Sequence, residues 1–414
     1  MELFETKQEI ETVLLIGVSL GEEQEIESSM DELEELVKTA GAQAVGRVVQ
    51  SREQIHPATY VGKGKLEEIK ELLWETNASG IVCDDELTPA QLRNMEQELD
   101  IRIMDRTLVI LDIFARRAAT SEGKIQVELA QLRYRLTRLA GLGKTMSRLG
   151  GGIGTRGPGE KKLEMDRRLI KERISILNKE LKQVKVHREV ARSKRKRESI
   201  PSFAIVGYTN AGKSTLLNYM TDARVLQEDM LFATLDPTTR TYTLPSGQKI
   251  LLTDTVGFIR KLPHHLIEAF KGTLEEARYA DYILHVVDVT NPHMEQQMYT
   301  VYETLDRLNA GDKPVITLFN KIDRLEREIS LKDFKADKTI RISAKTGTGL
   351  EELAQLLEEI LRENKMYFER LMPYEQAGLI QMIRKRGELL DEEYQEDGIL
   401  VRAYVPVEDY AKFC

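Results

Sequence analysis

A phosphate-binding pattern lies near the middle of the chain. Gly207–Ser214 reads GYTNAGKS, which matches G-x-x-x-x-G-K-[ST]. An apolar run, Ser202–Val206, precedes it and a helical stretch, Thr215–Met220, follows it, so the pattern has the strand–loop–helix context that such a loop requires. Backbone N–H groups of the loop and the helix N-terminus can surround phosphate oxygens, with Lys213 at the β- and γ-phosphates and Ser214 on Mg²⁺. The predicted phosphate-binding residues are Gly207, Tyr208, Thr209, Asn210, Ala211, Gly212, Lys213 and Ser214.

A second motif, 41 residues after the lysine of this loop, is suited to sensing the γ-phosphate. Two extended segments, Thr241–Leu244 and Lys249–Thr253, flank a Pro-Ser-Gly turn and predict a hairpin. The second segment ends in Asp254-Thr255-Val256-Gly257. Asp254 is placed to hold Mg²⁺ through water, and the backbone N–H of Gly257 is placed to meet the γ-phosphate.

Two further motifs predict that the base is guanine. An apolar run, Lys313–Phe319, leads into Asn320-Lys321-Ile322-Asp323, and a later run, Thr339–Ile342, leads into Ser343-Ala344-Lys345. The Asp323 carboxylate can accept from both N1–H and the exocyclic amine of guanine, a donor pair that adenine lacks. Asn320 is expected to hold the loops together, and the stem of Lys321 to cover the base. The four motifs in this order predict a GTP and GDP site.

The elements that position these motifs follow from hydrophobic periodicity. The 414 residues are 41% hydrophobic and 31% charged, which predicts roughly two to four domains of an α/β multidomain protein. In residues 1–110, short apolar runs alternate with helical spacing, which predicts a parallel α/β domain. The predicted strands are Val13–Val18, Ala44–Gln50, Gly80–Asp84 and Ile101–Asp105, and the predicted helices are Glu25–Thr39, Lys65–Thr76 and Pro89–Leu99.

Residues 111–198 have a different pattern, which predicts an antiparallel, coiled-coil-like helical hairpin. Apolar residues recur at steps of four and three on two segments. The first seam is Ile125, Leu129, Leu132, Leu136 and Leu139, and the second is Ile170, Ile174, Leu177, Leu181 and Val184. The connecting segment, 141–160, contains eight of the 27 glycines and is predicted to be a loop.

This hairpin carries most of the positive charge. The net charge is −8, yet residues 111–200 hold 24 Lys and Arg against 10 Asp and Glu, a balance of +14, so the remaining residues carry −22. A basic segment in an acidic protein predicts a polyanionic partner, although a solvated charged helix and a plain linker are the alternatives. The predicted RNA-contacting residues are Lys144, Arg148, Arg156, Lys161, Lys162, Arg167 and Arg168.

The cysteines and the apolar segments predict the cellular compartment and exclude some classes of protein. The two cysteines, Cys83 and Cys414, lie far apart without a CxxC pattern, so neither a disulfide framework nor a zinc site is expected. The first apolar stretch, Val13–Leu20, is too short to cross a membrane, and no segment predicts membrane association. A cytoplasmic protein is expected. The predicted domains are completed by a G domain at 199–365 and a small α+β domain at 366–414.

The motifs together resemble the Obg–HflX group of translation-factor-class GTPases, and most closely the HflX family. The resemblance covers essentially residues 1–365 and rests on GYTNAGKS, FATLDPTTR at Phe232–Arg240, DTVGF, NKID and SAK. Its most specific part is RGPGEKKLEMDRR at Arg156–Arg168. Lys161 departs from the family, which usually has a polar, threonine-like residue there. The resemblance implies a Ras-like P-loop G domain that hydrolyses GTP to GDP and phosphate.

The resemblance also implies roles that spacing does not assign. Thr234, 20 residues after Ser214, resembles the switch I threonine that binds Mg²⁺, with Thr238 and Thr239 as alternatives. Phe258 stands where Ras-like GTPases have a water-orienting glutamine, so slow intrinsic hydrolysis is expected. Asn210 resembles the asparagine that coordinates K⁺ in cation-activated relatives; the alternative is an asparagine that only stabilises the loop. Lys213, Gly257 and Asn210 are the predicted catalytic residues, and Phe232, Ala233, Thr234, Leu235 and Asp236 join the GTP contacts.

The partner implied by the resemblance is the large ribosomal subunit, contacted through ribosomal RNA near the peptidyl-transferase region by a monomeric, ribosome-associated protein. The implied role is to split or rescue stalled ribosomes under heat or antibiotic stress. One alternative is an assembly or anti-association factor in which GTP hydrolysis acts as a timer. Another is ATP-dependent RNA remodelling by the N-terminal domain, where Gly62–Lys65 is the one phosphate-compatible segment.

Overall fold

The computed structural model describes residues 10–21, 23–149, 158–197, 200–221, 230–232, 234–261, 271–327, 329–363, 365–406 and 410. The chain forms two units. Unit 1 comprises Met1–Val184, Asp229–Leu235 and Arg260–Lys271, and unit 2 comprises Lys185–Glu228, Asp236–Ile259 and Gly272–Cys414. Each unit has its own hydrophobic core.

The first part of unit 1 is a parallel sheet with helices. Its strands are β1 (Thr12–Ser19), β2 (Gln43–Ser51), β3 (Gly80–Cys83) and β4 (Arg102–Asp105), in the order β2-β1-β3-β4. Its helices are α1 (Glu23–Thr39), α2 (Lys63–Thr76), α3 (Pro89–Leu99) and α4 (Arg106–Arg117). Seven consecutive residues of β1 are buried, as expected of a parallel strand covered on both faces. The predicted parallel α/β domain is confirmed.

Local sequence explains where these helices begin. Thr88 and Gln91 form a reciprocal capping box at the start of α3, and Pro89 occupies its first turn. The Asp105 side chain accepts from the Leu108 N–H and caps α4. The basic segment at the start of α2 is part of the helix, where Lys65 forms an ion pair with Glu68 at 2.6 Å.

Two long helices follow in the chain, and the second continues from unit 1 into unit 2 after Val184. They are α5 (Ser121–Leu149) and α6 (Pro158–Arg197). Every residue of both predicted seams is buried or half-buried, and Leu129 and Leu177 are buried most completely. The Arg173 guanidinium on α6 donates to the Glu128 carboxylate on α5 at 2.7 Å, which joins the helices well away from the connection. The antiparallel pair agrees with the prediction.

The predicted glycine loop, 141–160, is wrong at both ends. The residues from Gly141 to Leu149 are the last turns of α5, and α6 already begins at Pro158. Three of the eight glycines lie in these helices, Gly141 and Gly143 in α5 and Gly159 in α6. A glycine costs a helix about 1 kcal/mol, which adjoining turns of good helix-forming residues can offset. Residues 150–157 lie outside the described part of the chain.

The centre of unit 2 is a six-stranded mixed sheet. Its strands are β5 (Ser202–Gly207), β6 (Thr238–Thr243), β7 (Lys249–Asp254), β8 (Tyr282–Asp288), β9 (Val315–Asn320) and β10 (Lys338–Arg341). The order is β10-β9-β8-β5-β7-β6; β6 is antiparallel to β7, and the other pairs are parallel. The helices are α7 (Lys213–Thr221), α8 (Lys271–Tyr279), α9 (Met294–Arg307) and α10 (Leu350–Glu363). The predicted P-loop G domain is confirmed.

The last part of unit 2 is a small α+β domain, as predicted. Strands β11 (Lys365–Met372), β12 (Glu388–Gln395) and β13 (Gly398–Pro406) form an antiparallel sheet in the order β11-β13-β12, with α11 (Ala377–Arg386) between β11 and β12. Phe368, Ile383, Val401 and Ala403 lie in its core. In the described part of the chain, no helix combines the length and apolar character needed to span a bilayer.

Candidate nucleotide-binding site

The phosphate loop joins the end of β5 to the start of α7 and lies against the asparagine of the NKID motif. Gly212 has φ +101°, a left-handed conformation that glycine tolerates best. A Cβ atom on Gly212 would lie 2.2 Å from Asn320 Nδ2, so this close approach also requires glycine. The neighbouring Asn210 is exposed and has φ +60°, which asparagine adopts more readily than most residues.

Lys213 is buried at the beginning of α7. Its ammonium group donates to the Tyr208 carbonyl at 2.7 Å. Burial lowers the pKa of Lys213 to about 8, the Asp254 carboxylate raises this pKa, and the charge of Lys321 lowers it. A Cβ atom on Gly257 would lie 2.9 Å from Lys213 Nζ, so the DTVG glycine and the loop lysine are brought together.

Ser214, a predicted Mg²⁺ ligand, also meets Asp254, which is predicted to hold the ion through water. The Ser214 hydroxyl donates to the Asp254 carboxylate at 2.7 Å, and Asp254 is the last residue of β7. A hydroxyl and a carboxylate are oxygen donors of the kind that Mg²⁺ prefers, so these residues fit the ion. When bound, Mg²⁺ would neutralise charge on the β- and γ-phosphate oxygens.

Phe258 is buried and connects the DTVG segment to the phosphate loop through its backbone. The Thr209 N–H donates to the Phe258 carbonyl at 2.8 Å, and the Phe258 N–H donates to the Gly207 carbonyl at 3.1 Å. The apolar ring of Phe258 offers no group to orient a water molecule, and the slow intrinsic hydrolysis expected from this residue stays a prediction. Through these two backbone hydrogen bonds, Phe258 holds the DTVG segment against the phosphate loop.

The predicted guanine-binding motifs are joined by the side chain of Asn320. Its Nδ2 donates to the Ala211 carbonyl at 2.8 Å, and its Oδ1 accepts from the Ala344 N–H at 2.9 Å. Asp323 is exposed, and one of its carboxylate oxygens accepts from the Ser343 hydroxyl at 2.6 Å. These bonds hold the phosphate loop, the NKID segment and the SAK segment together, and they leave the Lys345 side chain exposed.

A further contact in this region could not be read from the motifs. The Lys321 ammonium group donates to Asp288 Oδ2 at 2.6 Å. Asp288 ends β8 and lies opposite Asn320 of β9 in the strand register. The one signal of this contact in the sequence is the aspartate that ends the strand sequence YILHVVD.

The predicted switch I residues are divided between the units. Phe232, Thr234 and Leu235 belong to unit 1, where the ring of Phe232 packs edge-on against Phe114 with centroids 4.7 Å apart. Asp236 belongs to unit 2, and Ala233 lies outside the described residues. The alternatives to Thr234, Thr238 and Thr239, are both on β6, and the Thr239 hydroxyl lies 2.9 Å from that of Thr253.

Arg260 and Lys261, which follow the DTVGF motif, also belong to unit 1. The sequence did not predict this. Lys261 forms ion pairs with Asp84 and, at 2.7 Å, with Asp85. The Arg106 guanidinium, which is buried, donates to Asp84 at 2.8 Å and to Glu32 at 2.7 Å. Burial raises the pKa of Asp84, but the charges of Arg106 and Lys261 outweigh burial and hold this pKa below its usual value.

Three of the seven predicted RNA-contacting side chains can be described. Lys162 and Arg168 are exposed on α6, and Arg167 is half-buried. Arg168 also donates to Glu172 one turn later, at 2.9 Å. Lys144, Arg148 and Lys161 lie on the long helices, but their side chains are outside the described part, as is Arg156 entirely.

Models of three protein families match consecutive parts of the chain. They are described as GTP-binding GTPase N-terminal (residues 27–115), GTP-binding GTPase Middle Region (117–195) and 50S ribosome-binding GTPase (202–321). The GTPase HflX of Lacrimispora saccharolytica is 67% identical over 410 residues, which are 99% of this chain and 97% of that protein. The chain belongs to the HflX family of GTPases.

Another relative and a solved structure are less similar to the chain. The GTPase HflX of Caldanaerobacter subterraneus is 49% identical over 98% of this chain and 93% of that protein. A solved GTP-binding protein from Sulfolobus solfataricus in complex with GDP is 27% identical, covering 84% of this chain and 98% of that chain with a TM-score of 0.44. As a member of the HflX family, the chain is an enzyme that hydrolyses GTP to GDP and phosphate. P-loop GTPases generally use Mg²⁺ with GTP.

Proposed function

We propose that this GTPase binds the large ribosomal subunit and uses the GTP cycle to split or rescue ribosomes stalled by heat or antibiotics. The observation that carries the proposal is the match of residues 202–321 to a family described as 50S ribosome-binding GTPase. GTP biases the affinity of the protein for the subunit, because a ligand shifts an equilibrium only through differential binding.

The hairpin of α5 and α6 supports ribosomal RNA as the contacted surface. At 1.5 Å per residue, the 29 residues of α5 span about 44 Å, so this helix offers a long surface. The excess of 14 positive charges over residues 111–200 favours a polyanion. Lys162 and Arg168 contact phosphates in this proposal, together with Lys144, Arg148, Arg156, Lys161 and Arg167.

In the proposed site, Lys213 and the Gly257 N–H act at the phosphates that react. Ser214 and Thr234 hold Mg²⁺ directly and Asp254 holds it through water, while Asn210 holds K⁺. The Asp323 carboxylate accepts from N1–H and the exocyclic amine of guanine. The remaining proposed contacts are Gly207, Tyr208, Thr209, Ala211, Gly212, Phe232, Ala233, Leu235, Asp236, Thr255, Val256, Asn320, Lys321, Ile322, Ser343, Ala344 and Lys345.

The deciding experiment measures GTP hydrolysis by the purified protein, alone and with isolated large ribosomal subunits, in K⁺ and in Na⁺. Phe258 cannot orient water, so we expect slow hydrolysis alone and strong stimulation by the subunits. Faster hydrolysis in K⁺ than in Na⁺, lost in Asn210→Ala, would support the cation role of Asn210. Absence of stimulation would contradict the ribosome-triggered cycle.

Splitting can be separated from simple occupancy of the subunit. Whole ribosomes are mixed with the protein and GTP, and light scattering then records their dissociation. Lys213→Ala, which lacks the phosphate-binding ammonium group, should not split ribosomes if GTP drives the step. If this variant at high concentration blocks reassociation as well as the wild type does, the protein is instead an anti-association factor.

A further inference from the structure

The lysine of the NKID motif is held by an aspartate from the neighbouring strand. Lys321 Nζ lies 2.6 Å from Asp288 Oδ2, and the two side chains are only 18% and 15% exposed. Strands β8 and β9 run parallel and pair Asp288 with Asn320, so both strands deliver polar residues to the same carboxyl edge. The contact is therefore part of the edge at which the guanine-binding residues lie.

The Asp288 carboxylate is itself held in one orientation. Its other oxygen, Oδ1, accepts from the Thr290 N–H at 3.0 Å and from the Thr290 hydroxyl at 2.7 Å. An aspartate that bonds to the backbone two residues later forms a local turn. Because Thr290 occupies Oδ1, Oδ2 is left directed at the ammonium group of Lys321.

Both the backbone and the side chain of Lys321 are held in a restricted conformation before a ligand binds. Its φ of +68° and ψ of +30° are left-handed, a conformation that residues other than glycine seldom adopt. A lysine side chain loses much rotamer freedom when it is ordered against a ligand. An ion pair that orders the side chain before the ligand arrives reduces this cost, which is the principle of preorganisation.

We infer that Asp288 is a positioning residue for guanine nucleotides: it holds the Lys321 ammonium group so that the apolar stem of the lysine forms a ready surface for one face of the base. The inference rests on the proposed assignment of the NKID motif to the base. The stem touches a ring face that guanine and hypoxanthine share, whereas Asp323 reads the exocyclic amine that only guanine has. Asp288 thus raises affinity for both bases without choosing between them.

The test uses the full-length chain and measures the Kd of GDP and of inosine diphosphate by competition with a fluorescent GDP. Asp288→Asn retains acceptors for the Thr290 turn but removes the charge. We expect about tenfold weaker binding of both nucleotides, the usual size of a lost charge-assisted hydrogen bond, with their ratio unchanged. For GTP turnover, KM should rise by a similar factor while kcat stays within about twofold, because uniform binding is lost.

A double-mutant comparison separates positioning from a merely structural role. If Asp288 acts through Lys321, Asp288→Asn should change Kd by less than about twofold in a Lys321→Ala background. The matched control is Glu303→Gln, which removes an exposed carboxylate that pairs with Arg307 on α9 and should leave Kd unchanged. An equal loss of affinity in both backgrounds, or wild-type affinity of Asp288→Asn alone, would overturn the inference.

Asp323→Asn shows separately whether the guanine assignment holds. If Asp323 reads the exocyclic amine, this variant should reduce the preference for GDP over inosine diphosphate. An unchanged preference would contradict the proposed base site, and an altered preference together with an inert Asp288→Asn would contradict only the role of Asp288.

Discussion

Gly212 is the residue at which the phosphate loop approaches Asn320 of the NKID motif, so a substitution there should disturb both segments. In Gly212→Ala, the added methyl group must occupy space 2.2 Å from Asn320 Nδ2, on a backbone with φ +101°. We expect roughly 100-fold weaker GDP binding, because both the loop conformation and the Asn320 bridge are disturbed. Fluorescent-nucleotide titration measures the change.

The matched control for Gly212→Ala is Gly378→Ala. A Cβ atom on Gly378, in α11, meets nothing within 4 Å. This variant should bind GDP normally and be slightly more stable, since alanine favours a helix over glycine. Normal GDP binding by Gly212→Ala would show that the loop tolerates a side chain and that the tight contact is unimportant.

A buried histidine makes the stability of unit 2 sensitive to acid. His285 on β8 is 1% exposed, and burial lowers its pKa to about 4, with Lys213 lowering it and Asp333 raising it. The unfolded histidine has a pKa near 6.5, so the unfolded state binds more protons between these values. We therefore expect the contribution of His285 to stability to be complete above about pH 6.5 and to fall by roughly 3 kcal/mol as the pH drops toward 4.

His285→Phe should remove this part of the pH dependence. Its ring can keep the edge-on contact that His285 makes with Tyr302, with centroids 5.2 Å apart. Urea unfolding between pH 4.5 and 7 measures the difference between variant and wild type, because carboxylates contribute equally to both. Parallel curves of stability against pH would show that His285 is not the titrating group.

At the scale of elements, the buried ion pairs of unit 1 connect α1, the end of β3 and the start of α4. Arg106→Met would leave the buried Asp84 without its guanidinium partner, and we expect a loss of about 3–5 kcal/mol in the free energy of unfolding. Arg102→Met is the control, since Arg102 and its partner Glu11 are 68% and 60% exposed, and it should cost less than about 1 kcal/mol. Denaturant unfolding of both variants measures the contrast; equal costs would contradict it.

The secondary structure was largely predictable because each element has its own periodicity. The predicted helix Pro89–Leu99 has the observed bounds, and the strand Val13–Val18 extends by one residue at each end. The predicted loop beginning at Gly141 was wrong because glycine propensity is weak against the continuing α5 helix. The composition of a short segment does not show whether a neighbouring helix continues through it despite its glycines.

The motifs of the nucleotide site were predictable for a related reason: each is contiguous in sequence. The contact between Lys321 and Asp288 was not, because it depends on which strands are neighbours and on their register. The assignment of Phe232 and Lys261 to unit 1 was equally invisible, since it arises from packing against Phe114 and from ion pairs with Asp84 and Asp85. Neither the contact nor the assignment to unit 1 follows from the spacing of residues along the chain.

At the scale of the whole molecule, the distribution of charge leads to a prediction about the ribosome. Replacing Lys162 and Arg168 together by Ala removes two exposed cations from α6. If they contact phosphates, affinity for large subunits should fall, and the slope of log affinity against log salt should decrease by about one for each cation removed. Sedimentation of the protein with large subunits at several KCl concentrations measures both quantities.

Basal GTP hydrolysis separates this effect from damage to the nucleotide site. Lys162 and Arg168 belong to unit 1, whereas Lys213, Ser214 and Asp254 belong to unit 2, so hydrolysis without ribosomes should be unchanged. Lys338→Ala is the matched control, because Lys338 pairs with Glu363 on unit 2 and carries the same charge. Lys338→Ala removes one charge and the hairpin variant removes two. A loss of subunit affinity that is equal per charge removed would therefore mean that net charge, and not the hairpin, sets the attraction. A selective loss in the hairpin variant would assign the excess of 14 positive charges in residues 111–200 to ribosomal RNA, which the acidic remainder of the chain would repel.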